Sequence, residues 1–228
     1  MPQKAGTSSV SITDPTKYPV PRPVLRGRLH AVAAAVSVGA LVWLVRSATS
    51  VEATVAAWVY GVAAILCYLT SSIYHVVARS DRARTFMRRA DHSMIYVLIA
   101  GTFTPMCLLA MSGSWRWVYI GVVWAGALVG VALTIVPSTP LPRFSVALYL
   151  ILGWTGLAVL PSLARNPIRI VLVLVAGLLY TVGAVLFGRQ RPRLRPNYFG
   201  FHEFWHCMGV SAGALLFVVN LSLITTRA

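Results

Sequence analysis

Five histidines, His30, His75, His92, His202 and His206, are the side chains of this sequence best suited to hold a metal ion or move a proton, and the acids near them are Asp91 and Glu203. His202 and His206 stand four residues apart, so in a helix both imidazoles project from one face and suit a single ion. His75 offers a third nitrogen. Three protein ligands leave a fourth position open, as catalytic zinc keeps one for water. Asp91 could bind that water or take its proton, and Ser71, one helical turn before His75, could orient a ligand or substrate. Oxygen-seeking metals suit so nitrogen-rich a set poorly; zinc fits best, with iron and copper left open.

The run His202-Glu203-Phe204-Trp205-His206 also reads H-E-x-x-H, the spacing in which zinc proteases use the glutamate as general base. One position along a helix is a rotation of about 100°, so Glu203 leaves the face of His202 and is expected to point to the lipid headgroups. The spacing is specific for metal and less so for proteolysis. A single histidine at a membrane interface is ordinarily an anchor or a satisfied polar group, and His30 and His92 are read that way. Asp91 alone could pair with Arg88 or Arg89. For His75, Asp91, His202 and His206 together, a shared metal site is the better account, because the elements that carry them converge.

Those elements are lipid-embedded helices. Of 228 residues, 57% are hydrophobic and 11% charged, with a mean hydropathy of +0.74, too little charge to cover a soluble surface. Apolar spans near 29–46, 54–78, 91–111, 116–136, 143–162, 168–187 and 202–224 each approach the ~20 residues that cross a bilayer. Turn chemistry separates them, as at Ser112–Gly113 and Pro137–Pro142. The expectation is an all-α membrane protein, a seven-transmembrane-helix bundle over 23–228 behind a disordered cytoplasmic tail at 1–22. The Ala-rich stretch Leu29–Val45 begins too far along the chain for a signal peptide and is read as a retained first helix. Gly126 and Gly130 form a G-x-x-x-G, and with Gly153, Gly156, Gly177 and Gly183 are expected to pack helices inside the bundle. Pro105 is expected to bend the third helix.

A net charge of +15 would suit nucleic acid. The 20 Lys and Arg instead sit between apolar runs, where they write membrane orientation. With the N-terminus cytoplasmic, fifteen fall inside: Lys4, Lys17, Arg22, Arg26 and Arg28, then Arg79, Arg82, Arg84, Arg88 and Arg89, then Arg143, then Arg189, Arg191, Arg193 and Arg195. Only Arg46, Arg116, Arg165, Arg169 and Arg227 fall outside. This predicts a multi-pass protein of the cell membrane, N-terminus cytoplasmic and C-terminus outside, with no nucleic-acid role. The second helix then runs inward and the third and seventh outward. His75, Asp91, His202 and His206 therefore share one layer near the cytoplasmic face, very roughly 3–15 Å inside the boundary. Cys67, Cys107 and Cys207 lack metal-pair spacing and are expected as free thiols.

Four segments resemble the hemolysin III family, the bacterial branch of the progestin and adipoQ receptor group. They are Ser71-Ser72-Ile73-Tyr74-His75, Asp91-His92-Ser93-Met94-Ile95-Tyr96 running into Ala100-Gly101-Thr102-Phe103-Thr104-Pro105, Tyr180-Thr181-Val182-Gly183-Ala184-Val185, and Phe201-His202-Glu203-Phe204-Trp205-His206. Arg26-Gly27-Arg28-Leu29-His30 looks like the family's lead into its first helix, and Phe103 stands where tyrosine is usual. The resemblance covers about residues 24 to 224. It implies seven helices with a cytoplasmic N-terminus, and a zinc ion (Zn2+) held by His75, His202 and His206. It also implies Asp91 meeting the zinc through a bound water, with Ser71 as the matching serine. The wider superfamily includes alkaline ceramidases, and the bacterial branch is named for haemolysis and linked to membrane homeostasis. The leading expectation is a zinc-dependent hydrolase of an inner-leaflet lipid amide or ester, with Asp91 as base and Ser71 assisting. A non-enzymatic zinc-containing regulator or receptor-like protein is the main alternative. A cytolytic pore is weaker, since no span offers a charged channel lining.

Overall fold

The computed structural model describes residues 23–136, 141–195 and 197–226; the tail expected over 1–22, Arg227 and most of the Pro137–Pro142 turn lie outside them. Seven helices follow in order: α1 (Arg28–Ser47), α2 (Val51–Ser72, continuing as a π turn over Ile73–Val77), α3 (Asp81–Ala110), α4 (Trp115–Ile135), α5 (Leu141–Trp154, continuing as a 3-10 helix over Thr155–Leu163), α6 (Pro167–Gly188) and α7 (Phe201–Ile224). Each contains a stretch long and apolar enough to cross a membrane. Among the described residues there is no strand, as expected where lipid offers the backbone no other partner.

Short polar side chains start several of these helices. Ser50 and Ser80 accept hydrogen bonds from the backbone N–H groups of Ala53 and Ala83, at 3.0 and 3.2 Å. Asn166 accepts from Ile168 ahead of a proline at the first helical position. Each satisfies an N–H that the first turn leaves unpaired.

The third helix departs from the sequence reading. Its apolar span was expected from residue 91, yet α3 has 30 residues and starts at Asp81, capped by Ser80. At 1.5 Å per residue it is about 45 Å long, against roughly 30 Å of hydrocarbon. Its first ten residues, with Arg82, Arg84, Arg88 and Arg89, therefore extend beyond the apolar layer as helix rather than loop. Arg89 uses its reach to close the end of α4, donating from Nη1 to the carbonyls of Thr134 (3.1 Å) and Ile135 (2.8 Å). A cation at a helix C-terminus both satisfies those acceptors and opposes the dipole.

α3 is also the innermost element. Its apolar stretch is 61% buried, whereas the others range from 17% to 44%. It packs on α2, α4, α5 and α7, and α1 meets α7 to close the ring around it. Tyr96, Met106, Val123, Val159 and Val219 fill the centre, while Val36, Trp43, Leu128, Ile151 and Ile168 face outward to lipid. Gly126 and Gly130 serve the internal packing expected of them: a side chain there would collide with Leu152 and Tyr96. A Cβ added at Gly153 would meet none of the described residues within 4 Å, so no close contact among them calls for glycine there. Buried hydrogen bonds tie helices together, from Asn220 Nδ2 to the Thr102 carbonyl and from Trp124 Nε1 to Thr104 Oγ1, both 3.1 Å. Pro105 lies inside α3, which continues past it without interruption.

Candidate metal centre

The starts of α1 and α7, the end of α2 and the first half of α3 meet at one end of the bundle. His75 reaches this end on the π turn, where the Ala78 N–H bonds back five residues to the Ile73 carbonyl at 3.0 Å. The extra residue widens the last turn of α2, a distortion that recurs at functional sites. Ser71 and His75 are both buried there.

His75 and His202 approach through their Nε2 atoms, 3.1 Å apart. The ring of His206 lies 4.7 Å from that of His202 and 5.2 Å from that of His75, centroid to centroid. One ligand nitrogen from each of the three lies within 4.8 Å of the others. Zinc–imidazole bonds of about 2.0–2.1 Å at tetrahedral angles hold nitrogens about 3.3 Å apart, so the three side chains fit such an ion with small adjustment. Asp91 Oδ2 is 4.0 Å from His75 Nε2, too long for a direct hydrogen bond. Ser71 stands beside Asp91, its hydroxyl turned to the carboxylate. Ser71, His75, Asp91, His202 and His206 are thus brought together, and Asp91 faces His75 while Arg89 is engaged with α4.

Three neighbours complete the surroundings of the centre, and Glu203 among them departs from the sequence reading. Glu203 does not face headgroups. Its side chain is 1% exposed, and Oε1 accepts from Arg26 Nε at 2.8 Å. Oε2 accepts from the Gly200 N–H at 2.8 Å, closing the first turn of α7. Neither oxygen is directed at the three imidazoles. His30, read as an anchor or a satisfied polar group, lies with its ring 3.8 Å from that of His206. His92 turns aside, its Nδ1–H donating to the Arg88 carbonyl at 2.8 Å, which agrees with a satisfied polar group.

The segment before α1 straps this end of the bundle. Val24 and Leu25 donate backbone hydrogen bonds to the carbonyls of Asn197 and Tyr198, at 3.1 and 3.4 Å. Gly27 has φ 78°, and an added Cβ would sit 2.6 Å from His75 Cβ. Only glycine takes that left-handed turn while passing so close to the histidine. The sequence Arg26-Gly27-Arg28 was the one visible signal of this strap, and nothing in it named Glu203 as partner.

Fold and site together define a polytopic membrane protein whose inward polar groups gather as a histidine-rich centre at one end of seven helices. The chain belongs to the haemolysin-III-related family, whose pattern matches residues 18–218. It is 31% identical over 204 residues to Hemolysin-3 of Bacillus cereus, spanning 87% of this chain and 90% of that one. It is 29% identical over 193 residues to the Hemolysin-3 homolog of Bacillus subtilis (strain 168), spanning 82% and 87%. It is accordingly a multi-pass protein of the cell membrane.

Proposed function

We propose that this protein is a zinc-dependent hydrolase of a membrane lipid amide or ester, with its site at the cytoplasmic face. The observation that supports this most is the meeting of three imidazoles with a carboxylate: His75, His202 and His206 within 4.8 Å, and Asp91 4.0 Å from His75 and beside Ser71. A bound zinc would supply Lewis acidity and bring the pKa of a coordinated water to about 7. Asp91 takes the proton of the attacking water as its oxygen bonds to the substrate carbonyl carbon, then returns it to the amine or alkoxide as the C–N or C–O bond breaks. Ser71 fixes the carboxylate's orientation during both transfers. A lipid acyl chain reaches the site laterally, between helices whose outer faces are already apolar.

Purified protein is expected to carry one zinc per chain and to hydrolyse members of a lipid amide and ester panel. His202→Ala and His206→Ala each remove one ligand and should empty the site. Stoichiometric metal in the double variant would overturn the centre, and a metal-loaded wild type inert on the whole panel would leave the non-enzymatic regulator as the better reading.

The orientation rests on the arginines, now partly helical but still clustered at the histidine end. Single cysteines placed between Arg189 and Arg195, in a chain whose native thiols are removed, should react with an impermeant reagent only from the cytoplasm. Labelling from outside intact cells would invert the bundle and move the site to the other leaflet.

A further inference from the structure

The clearest unassigned feature is a pair of buried imidazole nitrogens on touching rings. Nδ1 of His206 and Nδ1 of His30 are both enclosed and both lack a hydrogen-bond partner, yet the two rings are 3.8 Å apart with planes inclined by 50°. His30 is backed on another side by Tyr68, centroids 5.2 Å apart. The strap fixes where α1 begins, since Gly27 packs on His75 three residues before His30. His30 does not join the three histidines whose ligand atoms cluster, so it stands beside the centre.

A metal-binding imidazole presents a lone pair from one nitrogen and must carry hydrogen on the other, and that N–H ordinarily finds an acceptor that fixes the ring's tautomer and tilt. His202 and His75 meet through Nε2. The enclosed Nδ1 of His206 leaves its Nε2 as the nitrogen to turn the same way. Its Nδ1–H then needs an acceptor, and a neutral His30 protonated on Nε2 offers Nδ1. One donor and one acceptor satisfy both orphaned atoms, which lie on rings whose centroids are 3.8 Å apart.

We propose that His30 is the positioning residue for His206, accepting its Nδ1–H and so holding Nε2 toward the metal. This rests on the metal-centre reading, and adds a fourth histidine, from the first helix, to the device that makes the site.

The test is zinc competition against a chromophoric chelator on the purified full-length protein, with the visible spectrum of the cobalt-substituted form as a second readout. His30→Phe keeps an aromatic ring but offers no nitrogen. It should raise the zinc dissociation constant about 10–100-fold, the usual effect of losing such a partner, and change the cobalt spectrum. His30→Asn, which keeps an acceptor, should recover most of the affinity. Should His30→Phe not fold, His30→Leu against His30→Asn gives the same comparison. Equal affinity in wild type and His30→Phe, with metal bound in both, overturns the role of His30 and leaves the centre standing. Equal loss in the Phe and Asn variants also overturns it, because packing rather than hydrogen bonding would then be what His30 supplies. A wild type that binds neither zinc nor cobalt removes the centre itself, and this role with it.

Discussion

Asp91→Asn is expected to lower lipid hydrolysis by a factor on the order of 10²–10⁴, the usual contribution of a general base, with zinc content unchanged. The substitution keeps side-chain size and an oxygen that can accept a hydrogen bond, while removing the charge that takes a proton. Because His75, His202 and His206 stay in place, metal analysis separates lost chemistry from a lost site. A protease-like use of the H-E-x-x-H spacing predicts the reverse, an active Asp91→Asn and a dead Glu203→Gln. Measured side by side on one lipid substrate, the two variants decide between the bases. An active Asp91→Asn sinks the mechanism given above.

The second large effect is on stability. Glu203 is a buried carboxylate whose oxygens are taken up by Arg26 and the Gly200 N–H, and Arg26 is 24% exposed in its side chain. Arg26→Ala leaves the carboxylate enclosed without its counter-charge, a loss of about 3–5 kcal/mol for breaking a buried pair from one side. Glu203→Gln instead strands a cation that already reaches water, so it should cost less, about 1–3 kcal/mol. The Arg26→Ala/Glu203→Gln double variant should be more stable than Arg26→Ala alone, since no buried charge remains. Thermal unfolding in detergent, followed across the cycle, measures the coupling. Additive losses in the double variant would mean the pair does not act as a pair.

Most of the bundle could be read from the chain because lipid imposes a length and a polarity on every crossing segment. Spans such as 116–136 and 202–224 carry that signature residue by residue, and α4 and α7 lie close to where it put them. The start of α3 was hidden because Asp81–Ala90 is polar yet helix-compatible, so hydropathy ended the span where the helix did not end. The π turn at His75 was hidden for another reason: it is a change of backbone register, and Ile73–Val77 is apolar in either register. At the site, Ser71, His75, Asp91, His202 and His206 could be grouped from topology alone, because alternating spans assign each to an end of the bundle. Alternation assigns an end but not a neighbour. Hence Glu203, whose partner Arg26 lies 177 residues away, was given to the headgroups, and His30 was given to an interface when it touches His206.

That same separation governs when the site can exist during synthesis. His75 emerges 127 residues before His202, an interval of roughly 6–25 s at about 5–20 residues per second. Through that time the second helix sits in the bilayer with its histidine unmatched, and the strap ahead of α1 has neither Asn197 nor Glu203 to grip. Arrival of the last helix supplies two of the three imidazoles, the strap's carboxylate and the closing wall against α1 in one step. If the centre holds zinc as proposed, a nascent chain halted before Phe201 has no place for the ion, and acquisition of metal would mark that insertion has run to completion.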